Sequence, residues 1–270
     1  MKLSVMSYTF DRAKDFTLEQ ICQLANELGI DGIDMVRTYG RKPQEIRRLL
    51  DQHGLKTVCH TFLADLIFPS TAARQAGVDT IKQSLEAAVI LGADKVMLPT
   101  PGKQGVPRDL ARSYIIRGLQ EALVLVRQAG ITLTLENFPG ANSPFAISSD
   151  LLEAVREVPG TKITFDNGNA LMGGEDSAVS FERCASHIIH SHFKDWVLAE
   201  RGQGMEGLDG RWYQAALIGE GVVNHKSCLR AMKHSGYAGY INIEYEGRAY
   251  HPADGTRRAA GYLSNLIASI

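Results

Sequence analysis

The chain has 270 residues, a formal net charge of −1 and 44% hydrophobic residues. That length suits one large α/β domain, since a (β/α)8 barrel takes about 250 residues. The balanced charge argues against a nucleic-acid partner, and the absence of a long apolar run argues against a transmembrane helix.

Taken in order, the sequence alternates strand and helix signals. The opening MKLSVMSYTF enters a strand pattern at 3–8 without a basic leader and long apolar core, so no secretory signal and a cytoplasmic location are expected. A helix over 17–28 starts near Thr17 and Glu19 and stops at Gly29. The strand GIDGIDMV places Asp34 near its end, and a helix over 43–53 begins on Pro43. LKTVCH is a third strand ending at His60. A helix over 77–91 stops at Gly92, and DKVMLP is the fourth strand. The loop TPGKQGVP leads to a helix over 108–129. The cysteines (Cys22, Cys59, Cys184, Cys228) are scattered with no CxxC pair, which predicts reduced, buried thiols.

Four further strand-like stretches follow: ITLTLEN with Glu136, KITFDNGN with Asp166, IIHSHFKD with His192 and YINIEYEG with Glu244. Helices near 149–157, 176–186 and 225–235 separate them, and a last helix covers 253–269. Period-two alternation sets Leu133 and Leu135 against Thr134 and Glu136, and Ile163 and Phe165 against Thr164 and Asp166. It sets Phe193 against His190 and His192, and Ile241 and Ile243 against Asn242 and Glu244.

Eight strand–helix units imply right-handed crossovers and a parallel sheet, and the number favours a closed (β/α)8 TIM barrel as one domain over 1–270. No Gly-rich phosphate fingerprint follows the first strand. The Gly-rich segment 197–221 is long for a connection and is expected to be a loop over the site. At the carboxyl ends of parallel strands, Glu136, Asp166, His192 and Glu244 would gather in one place. Three oxygen donors and an imidazole suit one divalent cation; manganese, magnesium, cobalt and zinc are compatible, with manganese favoured. Such an ion would polarise a substrate carbonyl and stabilise an enediolate while a carboxylate moves the proton.

The pieces LEN, FDNGN, HSHFKD, GEG at 219–221 and INIEYEG together resemble the xylose isomerase-like TIM barrels, in the branch of sugar (phosphate) isomerases and epimerases. The resemblance covers nearly the whole chain. It implies that Glu136, Asp166, His192 and Glu244 bind one metal, with Glu136 and Glu244 as the acid/base pair. Ketose 3-epimerases of this group often carry a substrate-binding His where this chain has Asn169, so their particular substrate does not carry over.

Other side chains have weaker claims. His60 and Tyr8 are candidate substrate contacts, as are Asn169 and Arg211, the last with Trp212 in the Gly-rich loop. His190 is either a buried hydrogen-bonded histidine or a group beside the site, and Asp34 is a lesser candidate. Glu246 either pairs with Arg248 or touches substrate, Lys194 and Asp195 read as a local ion pair, and the 219–221 glycines read as loop-shaping.

The expected function is a metal-dependent isomerase or epimerase of a sugar or polyol ketone. The alternative is a lyase on the same scaffold, a keto-inositol dehydratase or a 3-oxo-glycoside-cleaving enzyme, because removing a proton beside a carbonyl also prepares β-elimination. A phosphodiesterase like the apurinic endonucleases would need many more metal-binding histidines than the spacing here supplies, and a non-catalytic sugar-binding barrel would not need facing glutamates. The partner expected is a small carbohydrate, with no nucleic acid and no membrane. Apolar outer helices would permit a homo-oligomer, a dimer or tetramer.

Overall fold

A computed structural model describes residues 1–270. In chain order it contains β1 (Lys2–Met6), a 3-10 turn (Ser7–Phe10), α1 (Leu18–Glu27), β2 (Gly32–Val36), α2 (Pro43–Gln52) and β3 (Lys56–Thr61). Then come α3 (Thr71–Leu91), β4 (Lys95–Leu98), α4 (Arg108–Ala129), β5 (Thr132–Glu136), α5 (Ser148–Glu157), β6 (Lys162–Asp166), α6 (Asn167–Met172) and α7 (Ser177–Cys184). The last third holds β7 (Ile188–Phe193), β8 (Asp195–Ala199), β9 (Met205–Glu206), β10 (Trp212–Ala216), α8 (His225–His234), β11 (Tyr240–Ile243) and α9 (Pro252–Ala268).

Eight parallel strands close into a barrel in the order β1-β11-β7-β6-β5-β4-β3-β2, so the fold is a (β/α)8 TIM barrel. The alternation explains its layers. Leu133, Leu135, Ile163, Phe165, Ile241 and Ile243 are buried in one core with helix residues such as Leu85, Leu119, Leu151 and Leu229. The opposite, polar set faces the barrel interior and pairs there. Thr134 and Thr164 hydroxyls meet at 2.7 Å, and Ser4 donates to Asn242 at 3.1 Å. Buried polar groups need such partners, because an unpaired one costs about 1–3 kcal/mol.

Three elements differ from the sequence reading. Helix α3 begins at Thr71, capped by Ser70, rather than at 77. Gly77 is not a boundary but a contact point: a Cβ there would stand 2.3 Å from the Asp65 carbonyl oxygen. The Asp-Asn-Gly turn after β6 continues as α6. The first strand stops at Met6, which leaves Tyr8 in the 3-10 turn.

The segment 197–221 is not a plain loop but carries strands. β8, β10 and β9 form a three-stranded antiparallel sheet. Asp195 ties its return to its start: the carboxylate accepts from the backbone N–H groups of Trp196, Gly219, Gly221 and Val223, and from His225 Nε2. Asp195 therefore pairs with a loop and His225, rather than with Lys194. A Cβ at 221 would stand 2.2 Å from Asp195 Oδ1, and Gly219 has φ +96, which accounts for both glycines of the GEG stretch. All four cysteines are buried and unpaired. No helix is long and apolar enough to cross a membrane.

Candidate functional site

Glu136 ends β5, Asp166 ends β6, His192 lies one residue from the end of β7, and Glu244 follows β11. All four are buried, and each offers a ligand atom within 4.8 Å of the other three. His192 Nδ1 lies 2.7 Å from Glu136 Oε1 and 3.2 Å from Glu244 Oε2. Asp166 uses Oδ1 to cap α6, accepting from the Asn169 backbone at 2.7 Å.

The remaining oxygens decide whether these residues fit a cation. Asp166 Oδ2 and Glu244 Oε2 are buried with no hydrogen-bond partner. Buried carboxylates without partners are costly unless a cation meets them. Three carboxylates and an imidazole, with two orphaned oxygens among them, form a donor set for one divalent ion.

Lys194 completes the charge pattern. Its buried ammonium lies 2.8 Å from Glu244 Oε1, 3.6 Å from Asp166 Oδ2 and 3.9 Å from Glu246 Oε2. Gly168 makes this possible, because a Cβ there would stand 2.6 Å from Lys194 Cγ. Burial alone would lower the Lys194 pKa, but Glu244, Glu246 and Asp166 hold it well above its ordinary value, so the side chain is charged. Burial pushes the Asp166 carboxyl up, against the pull of Lys194. Burial also works against ionised Glu244, yet Lys194 and His192 hold its carboxyl well below the usual range. Burial, with Glu244 nearby, pushes Glu246 up to about 7.

A cavity of about 970 Å³ opens on this cluster. Glu136, Lys194, Glu244 and Glu246 supply its charged end, and Phe62, Phe138 and Trp196 are among its apolar lining. The β8–β10 sheet contributes Tyr213, Gln214 and Ala215, and the link before β9 contributes Gly204.

The weaker sequence candidates separate here. Tyr8 lines the cavity. His60, Asn169, His190 and Arg211 do not. His60 is buried with Nδ1 2.9 Å from the Met35 carbonyl, and its neighbour Thr61 lines the cavity instead. Asn169 is enclosed in α6. Arg211 is exposed and donates to Asp209 at 2.7 Å. His190 is fully buried and bonded to Asp34. Arg248 forms no ion pair with Glu246, whose near cation is Lys194. Lys194, read from sequence as part of a local ion pair, is instead a site residue; the signal that marks it is the period-two face of His190 and His192, which runs on to it. Phe62, Phe138 and Arg37 come from loops, where no periodicity marks them.

Comparison with known proteins agrees with this architecture. The family model described as xylose isomerase-like TIM barrel matches residues 22–266. An inosose dehydratase of Lacticaseibacillus casei is 24% identical over 253 residues, covering 86% of this chain and 83% of the relative. An L-ribulose-5-phosphate 3-epimerase of Salmonella heidelberg (strain SL476) is 24% identical over 268 residues, covering 91% and 88%. The crystal structure of the IOLI protein, which carries a zinc atom, superposes with a TM-score of 0.82 at 15% identity, covering 100% of this chain and 99% of that one.

Proposed function

Since this chain belongs to the xylose isomerase-like TIM barrel family, we propose that it is a divalent-metal-dependent enzyme that moves a proton on the carbon beside the carbonyl of a sugar or polyol ketone. The observation that carries this reading is the convergence of four buried donor residues, two of them with an orphaned carboxylate oxygen, behind a cavity that Glu136 and Glu244 line. Glu136, Asp166, His192 and Glu244 would hold the ion. Manganese suits a set of three oxygens and one nitrogen, and magnesium, cobalt and zinc are compatible. When bound, the ion supplies Lewis-acid polarisation of the substrate carbonyl.

The chain's own residues supply the rest. Glu136 and Glu244 stand on strands separated by β6 and β7, and both line the cavity. Two carboxylates on different sides of one substrate carbon can take a proton and return it, which is isomerase or epimerase chemistry. Lys194 keeps Glu244 ionised, the form that a metal ligand or a base needs. Phe62, Phe138 and Trp196 give the cavity part of its apolar lining.

A second reading is dehydration of a keto-polyol, or cleavage of an oxo-glycoside. The cation of Lys194 beside the raised carboxyl of Glu246 favours it, because this pair offers hydrogen bonds to a departing oxygen. The relatives include both a dehydratase and an epimerase.

The deciding experiment is proton NMR in heavy water, with manganese-loaded protein and a panel of ketoses, keto-inositols and 3-oxo-glycosides. Metal-dependent deuterium uptake beside the carbonyl with the skeleton intact supports the isomerase or epimerase reading. Uptake with loss of water or aglycone moves the assignment to the lyase. No uptake with any ketone, while metal binds, contradicts both.

A further inference from the structure

Both histidines of β7 turn the same ring nitrogen toward one carboxylate. His190 Nε2 lies 2.5 Å, and His192 Nε2 3.1 Å, from Asp34 Oδ2. The two rings stand at 89° with centroids 5.1 Å apart. Asp34 comes from β2, which β1 and β11 separate from β7, so the contact runs through the barrel interior. All three side chains are fully buried.

An ionised carboxylate only accepts hydrogen bonds, so each Nε2 carries the proton and donates. The other nitrogen of His192 then faces Glu136 and Glu244. Which imidazole nitrogen can ligate a metal is set by the bond the other nitrogen makes. Asp34, His190 and His192 also lie close enough to suggest a second ion, but both Nε2 atoms and Asp34 Oδ2 are already joined by hydrogen bonds.

We propose that Asp34 is the positioning residue of the metal centre. It keeps the His192 proton on Nε2 and so aims the Nδ1 lone pair at the place where Glu136, Asp166 and Glu244 converge. His190, bonded to the same oxygen, fixes the Asp34 rotamer. This inference rests on the metal reading above and holds for an isomerase or a lyase.

The test is Asp34→Asn, which keeps the shape. A carboxamide can turn its NH2 toward His192, take the Nε2 lone pair and leave the proton on Nδ1. Manganese affinity would be measured by electron paramagnetic resonance, with the visible spectrum of the cobalt-loaded protein as the readout of ligand geometry. The expected result is affinity lowered about 10–100-fold and a changed cobalt spectrum, with unchanged circular dichroism. Because this variant could fail to fold, a second measurement uses the unaltered chain. In zinc-loaded, nitrogen-15-labelled protein, long-range correlation spectra should place the His192 proton on Nε2. Wild-type metal affinity and cobalt spectrum in Asp34→Asn, or a His192 proton on Nδ1 in the zinc-loaded protein, would overturn the inference alone. A wild-type chain that binds neither manganese nor zinc would overturn the metal reading and this inference with it.

Discussion

Glu244 shows how strongly one residue depends on its neighbours. It is buried, contacts a lysine and a histidine, and leaves Oε2 without a hydrogen-bond partner. Glu244→Gln removes both a candidate ligand and a candidate base, so turnover should fall by at least about 10³-fold and manganese affinity should drop. Steady-state rates and metal titration check this, and near-normal turnover would remove Glu244 from the site. His192 sets the pH behaviour. Burial alone would lower its pKa, but hydrogen bonds to Asp34 and Glu136 hold it well above the ordinary value. A protonated ring cannot ligate, so the metal must displace a proton. Metal affinity should therefore rise with pH up to the raised His192 pKa and level off above it; an affinity independent of pH below that point would contradict the assignment. His60 is the instructive miss at this scale. Plain alternation along LKTVCH turns it inward, but the ladder between β2 and β3 slips by one residue, pairing Ile33 with Thr57 and Asp34 with Cys59. The extra residue, Val58, reverses the parity beyond it. Thr61 then faces the cavity and His60 does not, and nothing in the side-chain pattern announces a bulge.

At the scale of elements, strands were legible because each buries an apolar face against helices and a polar face in the barrel. Helix ends were legible where Gly takes a left-handed conformation, as at Gly92 and Gly130. The start of α3 was not, because Gly77 serves close packing rather than termination. The excursion from β8 to β10 was hidden by its glycines. It hangs on Asp195, whose carboxylate accepts from four backbone N–H groups and His225. Asp195→Ala should cost roughly 3–5 kcal/mol by leaving several of these donors unpaired. Urea unfolding would read this directly, and a loss within about 0.5 kcal/mol would show that the carboxylate does not hold the excursion. At Gly168, a methyl group would collide with the Lys194 side chain and carbonyl, so Gly168→Ala should displace Lys194 from Glu244. A crystal structure of that variant with the 2.8 Å Lys194–Glu244 contact intact would refute this account of the glycine.

The whole molecule couples its fold to its chemistry through charge. Asp34, Glu136, Asp166 and Glu244 are all buried in one barrel mouth, against Lys194 and two histidines. A divalent ion that binds this folded site and not the unfolded chain should stabilise the barrel by about 2.7 kcal/mol at a hundred times its dissociation constant. That corresponds to a rise in melting temperature of roughly 5 °C, measurable by calorimetry with and without chelator. No rise with any of manganese, magnesium, cobalt or zinc would contradict a native metal site. The most direct test of the central claim is anomalous diffraction from crystals soaked in manganese. One peak should appear bounded by Glu136, Asp166, His192 and Glu244, with Nδ1 as the His192 ligand. A peak elsewhere in the chain, or none at full soaking, would contradict it.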